Sequence, residues 1–244
     1  MTEAFFWGGA AAATLLLGAI IAYAAQLGPK INAITMAAGA GLLLGSVSYD
    51  LIEEALKSSS LLWVAFSFLL GSGVFVLGDL VLDRMGAAQR KDPTGEQAEG
   101  SAKAIVMGSV LDGIPESFVL GLTVLQGGIN LPLLVGVAIS NLPEGMASSS
   151  GLRQAGWSFG RVSRMWLIVV LVSALSAAAG YVLLDPALGI MGPAHQAFAQ
   201  AFAAGALLTM LADTMLPEAF EEERDFTGTF VVLGFAGSLA LGAL

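Results

Sequence analysis

The sequence predicts an all-α integral membrane protein of eight transmembrane helices arranged as a 3+2+3 inverted repeat. Three observations predict it. Of 244 residues, 56% are hydrophobic and only 12% are charged, about half the charge of an ordinary globular chain, and the mean hydropathy is +0.81. So little polar side chain cannot cover a water-facing surface, which excludes a cytosolic enzyme. The apolar residues also divide into eight runs close to the roughly 20 residues that cross a bilayer, and the basic residues gather in alternate connections.

The runs cover residues 4–25, 31–55, 61–84, 103–126, 131–155, 163–184, 194–220 and 226–243, each bounded by polar or Gly/Pro punctuation. The first is preceded by Glu3 where a secretory signal would place Lys or Arg, and it is longer than a signal core. Ala22-Tyr23-Ala24 has the form of a cleavage site, but residues 4–25 read as a retained helix. The second run ends among Asp50, Glu53 and Glu54; the third, 61–84, is apolar apart from Asp79 and its last turn. Between the third and fourth lies MGAAQRKDPTGEQAEGSA, residues 85–102, whose mixed charge, Pro and Gly mark a flexible loop and no second domain. The chain is thus a single transmembrane domain over residues 1–244. The fourth and fifth runs carry prolines and acids in their middles, the sixth is apolar, and the seventh repeats the second.

With the N-terminus outside, the inner connections hold Lys30, Arg84, Arg90, Lys91, Lys103, Arg153, Arg161, Arg164 and Arg224, while the outer ones hold only Lys57. That asymmetry places both termini on the non-cytoplasmic side of the cell membrane and the 85–102 loop in the cytoplasm. The repeat shows at a constant offset. Gly41-Leu42-Leu43-Leu44 and Glu54-Ala55 recur as Gly205-Ala206-Leu207-Leu208 and Glu218-Ala219, 164 residues later. The second and seventh spans run in opposite directions, so the match points to three helices inverted about a central pair, an arrangement common among transporters.

Cysteine is absent and His195 is the one histidine, which excludes disulfides, thiolate sites and a His-rich zinc cage. The net charge of -9 argues against nucleic acid or anionic lipid headgroups as partners and is compatible with attracting cations. Ordinary membrane lipid surrounds the spans.

The central pair carries the chemistry. The fourth span holds Asp112-Gly113-Ile114-Pro115-Glu116-Ser117 and the fifth Ser140-Asn141-Leu142-Pro143-Glu144-Gly145. Both motifs lie about 10 to 14 residues into their spans, which at 1.5 Å per residue puts them near the bilayer midplane. Asp112 and Glu116 are four apart and Asn141 and Glu144 three apart, so each pair projects from one helix face. Pro115 and Pro143 free the carbonyls of Leu111 and Ile139 and open the helix where it would line a cavity. Left uncompensated, Asp112, Glu116, Glu144 and Asp213 together would cost on the order of 10 to 14 kcal/mol. No basic residue falls at that depth, so a bound cation or protons must compensate them.

Further acids suggest an entrance and an exit: Asp50, Glu53 and Glu54 at the outer end of the second span, and Asp213 and Glu218 toward the inner end of the seventh. Glu221-Glu222-Glu223 reads as a solvated turn and His195 as incidental. Asp79 reads as a lone protonated acid or a neighbour of the site.

With these motifs in hand, the chain resembles the ZIP (Zrt/Irt-like) family of divalent-metal transporters, of bacterial type, over essentially its whole length. The specific part is the pair DGIPES and SNLPEG, supported by LADTMLPEA in the seventh span. The resemblance implies eight helices, a 3+2+3 repeat, both termini outside, a homodimer, and inward transport with no resident cofactor and no enzymatic activity. The family motif in the fourth span is His-Asn-x-Pro-Glu-Gly, so Asp112 stands in place of the ligand histidine and Gly113 in place of the asparagine. The implied metal ligands are Asp112, Glu116, Asn141, Glu144 and Asp213, and the implied cargo is zinc, with manganese or iron(II) suited to an oxygen-only site. Two other readings stand beside this one. A transport-dead sensor or structural relative fits the lost histidine. An intramembrane aspartyl protease would use Tyr49-Asp50 and Gly78-Asp79, although Val76 occupies the place of the first glycine in the turn such enzymes need.

Overall fold

Apolar runs without room for surface loops fold into helices packed side by side, because in lipid every backbone polar group must be satisfied within its own segment. The computed structural model describes residues 1–25, 28–84, 101–188 and 192–243. Among them the chain forms eight continuous helical rods. These are α1 (Thr2–Ala24), α2 (29–58), α3 (Leu61–Arg84), α4 (Ser101–Gln126), α5 (Leu131–Gln154), α6 (Phe159–Leu183), α7 (193–222) and α8 (Thr227–Gly242). Each coincides with one apolar run to within four residues at either end. Most of the 85–102 connection lies outside the described residues.

Six rods are long and apolar enough to cross a membrane: α1, α2, α3, α4, α6 and α7. The chain is a multi-pass, all-α membrane protein. The other two fall short for different reasons. Helix α8 is apolar but has 16 residues. Helix α5 is long enough, but it carries Ser140, Asn141, Glu144, Ser148 and Ser149, all of them buried; it is polar because it faces protein and not lipid.

Helix starts follow local chemistry. The Asn130 side chain accepts from the Leu133 N–H at 2.8 Å and Pro132 sits in the first turn, which fixes where α5 begins. At the start of α7, His195 Nδ1 accepts from the Gly192 N–H at 3.2 Å, a capping role that the sequence reading leaves unassigned.

Helices α2 and α7 both contain a wider, π-helical stretch, Ser46–Ile52 in α2 and Leu211–Met215 in α7. Such stretches are rare and recur at functional sites. The two helices also use glycine alike. A methyl group at Gly41 would overlap the carbonyl of Val231 on α8, and one at Gly234 the carbonyl of Ala38 on α2. Correspondingly, a methyl at Gly205 would overlap the carbonyl of Phe68 on α3, and one at Gly71 the carbonyl of Phe202 on α7. Both pairs cross backbone to backbone, the close approach that small residues permit in membranes.

Helix α1 packs on α5 and α6, α4 on α6, and α2 on α5. An apolar centre containing Leu43, Leu120, Leu133, Leu207 and Leu211 joins α2, α4, α5 and α7. A second cluster around Trp166 joins α1, α4, α5 and α6, and there the Trp166 indole N–H donates to Ser149 Oγ at 2.8 Å. Helices α3, α6 and α8 leave Leu62, Phe66, Leu69, Leu171 and Val232 exposed, as a lipid-facing surface requires.

Candidate metal centre

Helix α4 passes through Pro115 and α5 through Pro143 without ending, so the residues before and after each proline keep helical spacing. On α4 this aligns Ser109, Asp112 and Glu116, at i, i+3 and i+7, on one face; on α5 it aligns Ser140 with Glu144. The two faces meet at a small cavity lined by Met36 of α2, Asp112 and Glu116 of α4, Ser140 and Glu144 of α5, and Met210 and Met215 of α7. Asp112 is 4% exposed, Glu116 2% and Glu144 8%. The lining contains three carboxyls, one hydroxyl and three thioethers, and no basic side chain.

Glu144 is held from across the helix pair: Ser109 Oγ donates to its Oε1 at 2.5 Å, a short contact. The three acids line one cavity, yet among the described residues no three of His, Asp and Glu are spaced to hold one ion together.

The remaining sequence candidates lie elsewhere. Asn141 is buried beside Glu144, but its amide turns to α1 and donates to the Ala11 carbonyl at 3.4 Å. Asp213 sits in the π-helical stretch of α7 with its side chain exposed; the cavity receives its neighbours Met210 and Met215 instead. Asp50 is half-buried beside the side chains of Asn130 and Ser46. Glu53 and Glu54 share Lys57, each at 3.2 Å, on an exposed helix end. Glu218 is half-buried in α7.

Measured from the short turn that joins α2 and α3, Asp50 is nine residues away and Asp79 nineteen, so their depths differ by about 15 Å at helical rise. Two aspartates so placed cannot share a proton as protease chemistry requires.

One reading is corrected. Glu223 is not a solvated turn residue: it is 8% exposed and pairs with Lys30 at 3.0 Å. The turn folds back, with Glu223 N–H donating to Ala219 O at 3.1 Å and Thr227 Oγ1 donating to the Glu223 carbonyl. That brings the carboxylate under the start of α2. The side chain of Glu222 lies outside the described residues.

Methionines 36, 210 and 215 and Ser109 are not among the site residues read from the sequence. The methionines look like ordinary apolar residues in a membrane span. Ser109 could have been found as the next rung of the Asp112–Glu116 stripe.

No family model matches the chain. A curated relative from Arabidopsis thaliana, named "Putative zinc transporter At3g08650", is 30% identical over 225 residues, which cover 91% of this chain and 35% of the relative. The chain therefore spans about a third of the length of that curated relative.

Proposed function

We propose that the chain is a ZIP-type membrane transporter that moves divalent transition-metal cations inward through the cavity between α4 and α5, with zinc as a cargo and manganese or iron(II) beside it. The observation that carries this reading is the convergence of Asp112, Glu116 and Glu144, buried acids from two helices, on one cavity without a basic residue in its lining. Ionised acids at membrane depth need a cation, and the curated relative is named for zinc transport.

The donor set fits such a cargo. Carboxylates bind zinc, manganese and iron(II) alike, while the thioethers of Met36, Met210 and Met215 favour the softer ions among transition metals. Asn141 and Asp213 join the proposed ligand set through side-chain rearrangement, and Asp50, Glu53, Glu54 and Glu218 mark the routes in and out.

The inverted repeat belongs to the same proposal. Offsetting α2 by 164 residues carries Gly41 to Gly205 and sets the stretch 46–52 over 210–216, which contains the π-helical stretch of α7. On the partner helices, Gly71 and Gly234 are 163 apart and make the reciprocal contacts. These pairings support eight crossings, with α1–α3 and α6–α8 inverted about α4 and α5, and the basic residues of alternate connections support both termini outside. Exposed apolar faces on α3 and α8 are compatible with the homodimer that the resemblance implies.

Uptake into proteoliposomes containing the purified protein tests the function. Saturable zinc uptake that Glu116→Ala or Glu144→Ala abolishes, in variants that still purify as folded protein, is the expected result. A wild-type protein that binds zinc but never moves it would leave the sensor reading in its place.

A further inference from the structure

Glu144 is the acid that comes from α5, and its carboxylate accepts a hydrogen bond from a hydroxyl on α4. Ser109 lies one turn before Asp112 and two turns before Glu116, on the same face, so the three form one stripe of oxygen atoms along α4. Ser109 is 4% exposed, and its Oγ donates to Glu144 Oε1 at 2.5 Å. Asp112, Glu116 and Glu144 line a common cavity without any three acids reaching the spacing that would hold one ion. A hydrogen bond to a carboxylate occupies a lone-pair direction that a metal would also use, and such bonds are among the stronger ones in proteins.

We propose that Ser109 is a positioning residue that holds the Glu144 carboxylate at the end of the α4 stripe and exchanges it with the cargo. This rests on the metal-transport reading of the cavity. On loading, Glu144 Oε1 leaves the serine hydroxyl and turns toward Asp112 and Glu116 to close on the ion. On release, the hydroxyl takes the oxygen back and so competes with the metal for it. No covalent bond is made or broken; one acceptor site alternates between a hydroxyl proton and a cation. The serine therefore weakens binding and speeds release, which is what a carrier needs from a buried site of several acids.

The test separates binding from turnover. Zinc binding to the full-length protein in detergent is measured by calorimetry, and zinc uptake is measured in proteoliposomes, for wild type, Ser109→Ala, Ser109→Thr and Ser109→Cys. Ser109→Ala is expected to bind zinc up to about tenfold more tightly, a change equivalent to about 1.4 kcal/mol, and to lose a similar factor in maximal uptake rate. Ser109→Thr, which keeps the hydroxyl, restores both, and Ser109→Cys, a weak donor, falls between. Unchanged affinity and rate in Ser109→Ala, or weaker zinc binding in it, would overturn the proposal. If Ser109→Ala does not fold, a Ser109→Cys protein with wild-type affinity and rate overturns it equally. A wild-type protein that binds none of zinc, manganese and iron(II) would instead defeat the transport reading on which the proposal rests.

Discussion

Two groups of acids in this chain share chemistry but not circumstance. Glu53 and Glu54 end α2 in the open, each within 3.2 Å of Lys57. Glu116 and Glu144 are buried between α4 and α5 in a cavity whose lining offers no cation. An exposed acid beside a lysine is already compensated by water and its neighbour, and little depends on it. A buried acid depends on its protein neighbours, as Glu144 does on the Ser109 hydroxyl, and on what the site binds. Depth, and not the number of acids, distinguishes the region proposed as the metal centre.

The strongest way to break this comparison is to remove one acid from each region. Glu116→Ala or Glu144→Ala should reduce saturable zinc uptake by at least about a hundredfold, since each removes one of the three carboxyls that line the cavity. Glu53→Ala or Glu54→Ala should lower it by less than about threefold. Equal losses in both regions, measured as initial rates in proteoliposomes, would erase the distinction.

The frame that sets the buried acids in place can be tested without touching them. Gly41→Val and Gly205→Val each push a side chain into a neighbouring backbone carbonyl, and overpacking of that kind costs about 1–3 kcal/mol or more. Both should lower the unfolding midpoint in detergent by several degrees and to a similar extent, whereas Gly73→Val, which meets nothing within 4 Å, should leave it nearly unchanged. A large difference between Gly41→Val and Gly205→Val would weaken the case for two matched halves.

Much of this frame was legible in the sequence. Each apolar run lies on a helix, with 61–84 matched at both ends, and six of these helices are long and apolar enough to cross a membrane, because hydropathy and punctuation are local properties. The Pro-Glu motifs located the cavity because helical spacing alone puts Asp112 beside Glu116. What escaped was set by contacts between distant segments. Asn141 turns to Ala11, 130 residues away, and Glu223 meets Lys30; no periodicity encodes either. The π-helical stretch in α7 gives its six-residue motif Met210 to Met215 a wider turn than the α-helix assumed from sequence, so methionines reach the cavity and Asp213 does not. The cavity that holds the expected oxygen donors is thereby lined by thioethers as well.

Two milder changes sharpen the picture of the buried region. Metal ligands bind in their deprotonated form, so under the proposed function uptake should fall as the pH drops, with the affinity loss exceeding the loss in maximal rate. Uptake that rises on acidification would contradict competition at the site. Asp112→His replaces an oxygen donor by an imidazole, and zinc accepts nitrogen more readily than manganese does. The ratio of zinc to manganese uptake should increase several-fold, read by competition between the two ions.

The most direct test is to see the ion. Crystals of the full-length protein grown with zinc, with anomalous scattering recorded at its absorption edge, should show a peak between α4 and α5 about 2.0–2.2 Å from oxygens of Asp112, Glu116 and Glu144. A peak confined to Asp50, Glu53 and Glu54, with none in the cavity, would contradict the assignment of the buried acids as the metal centre.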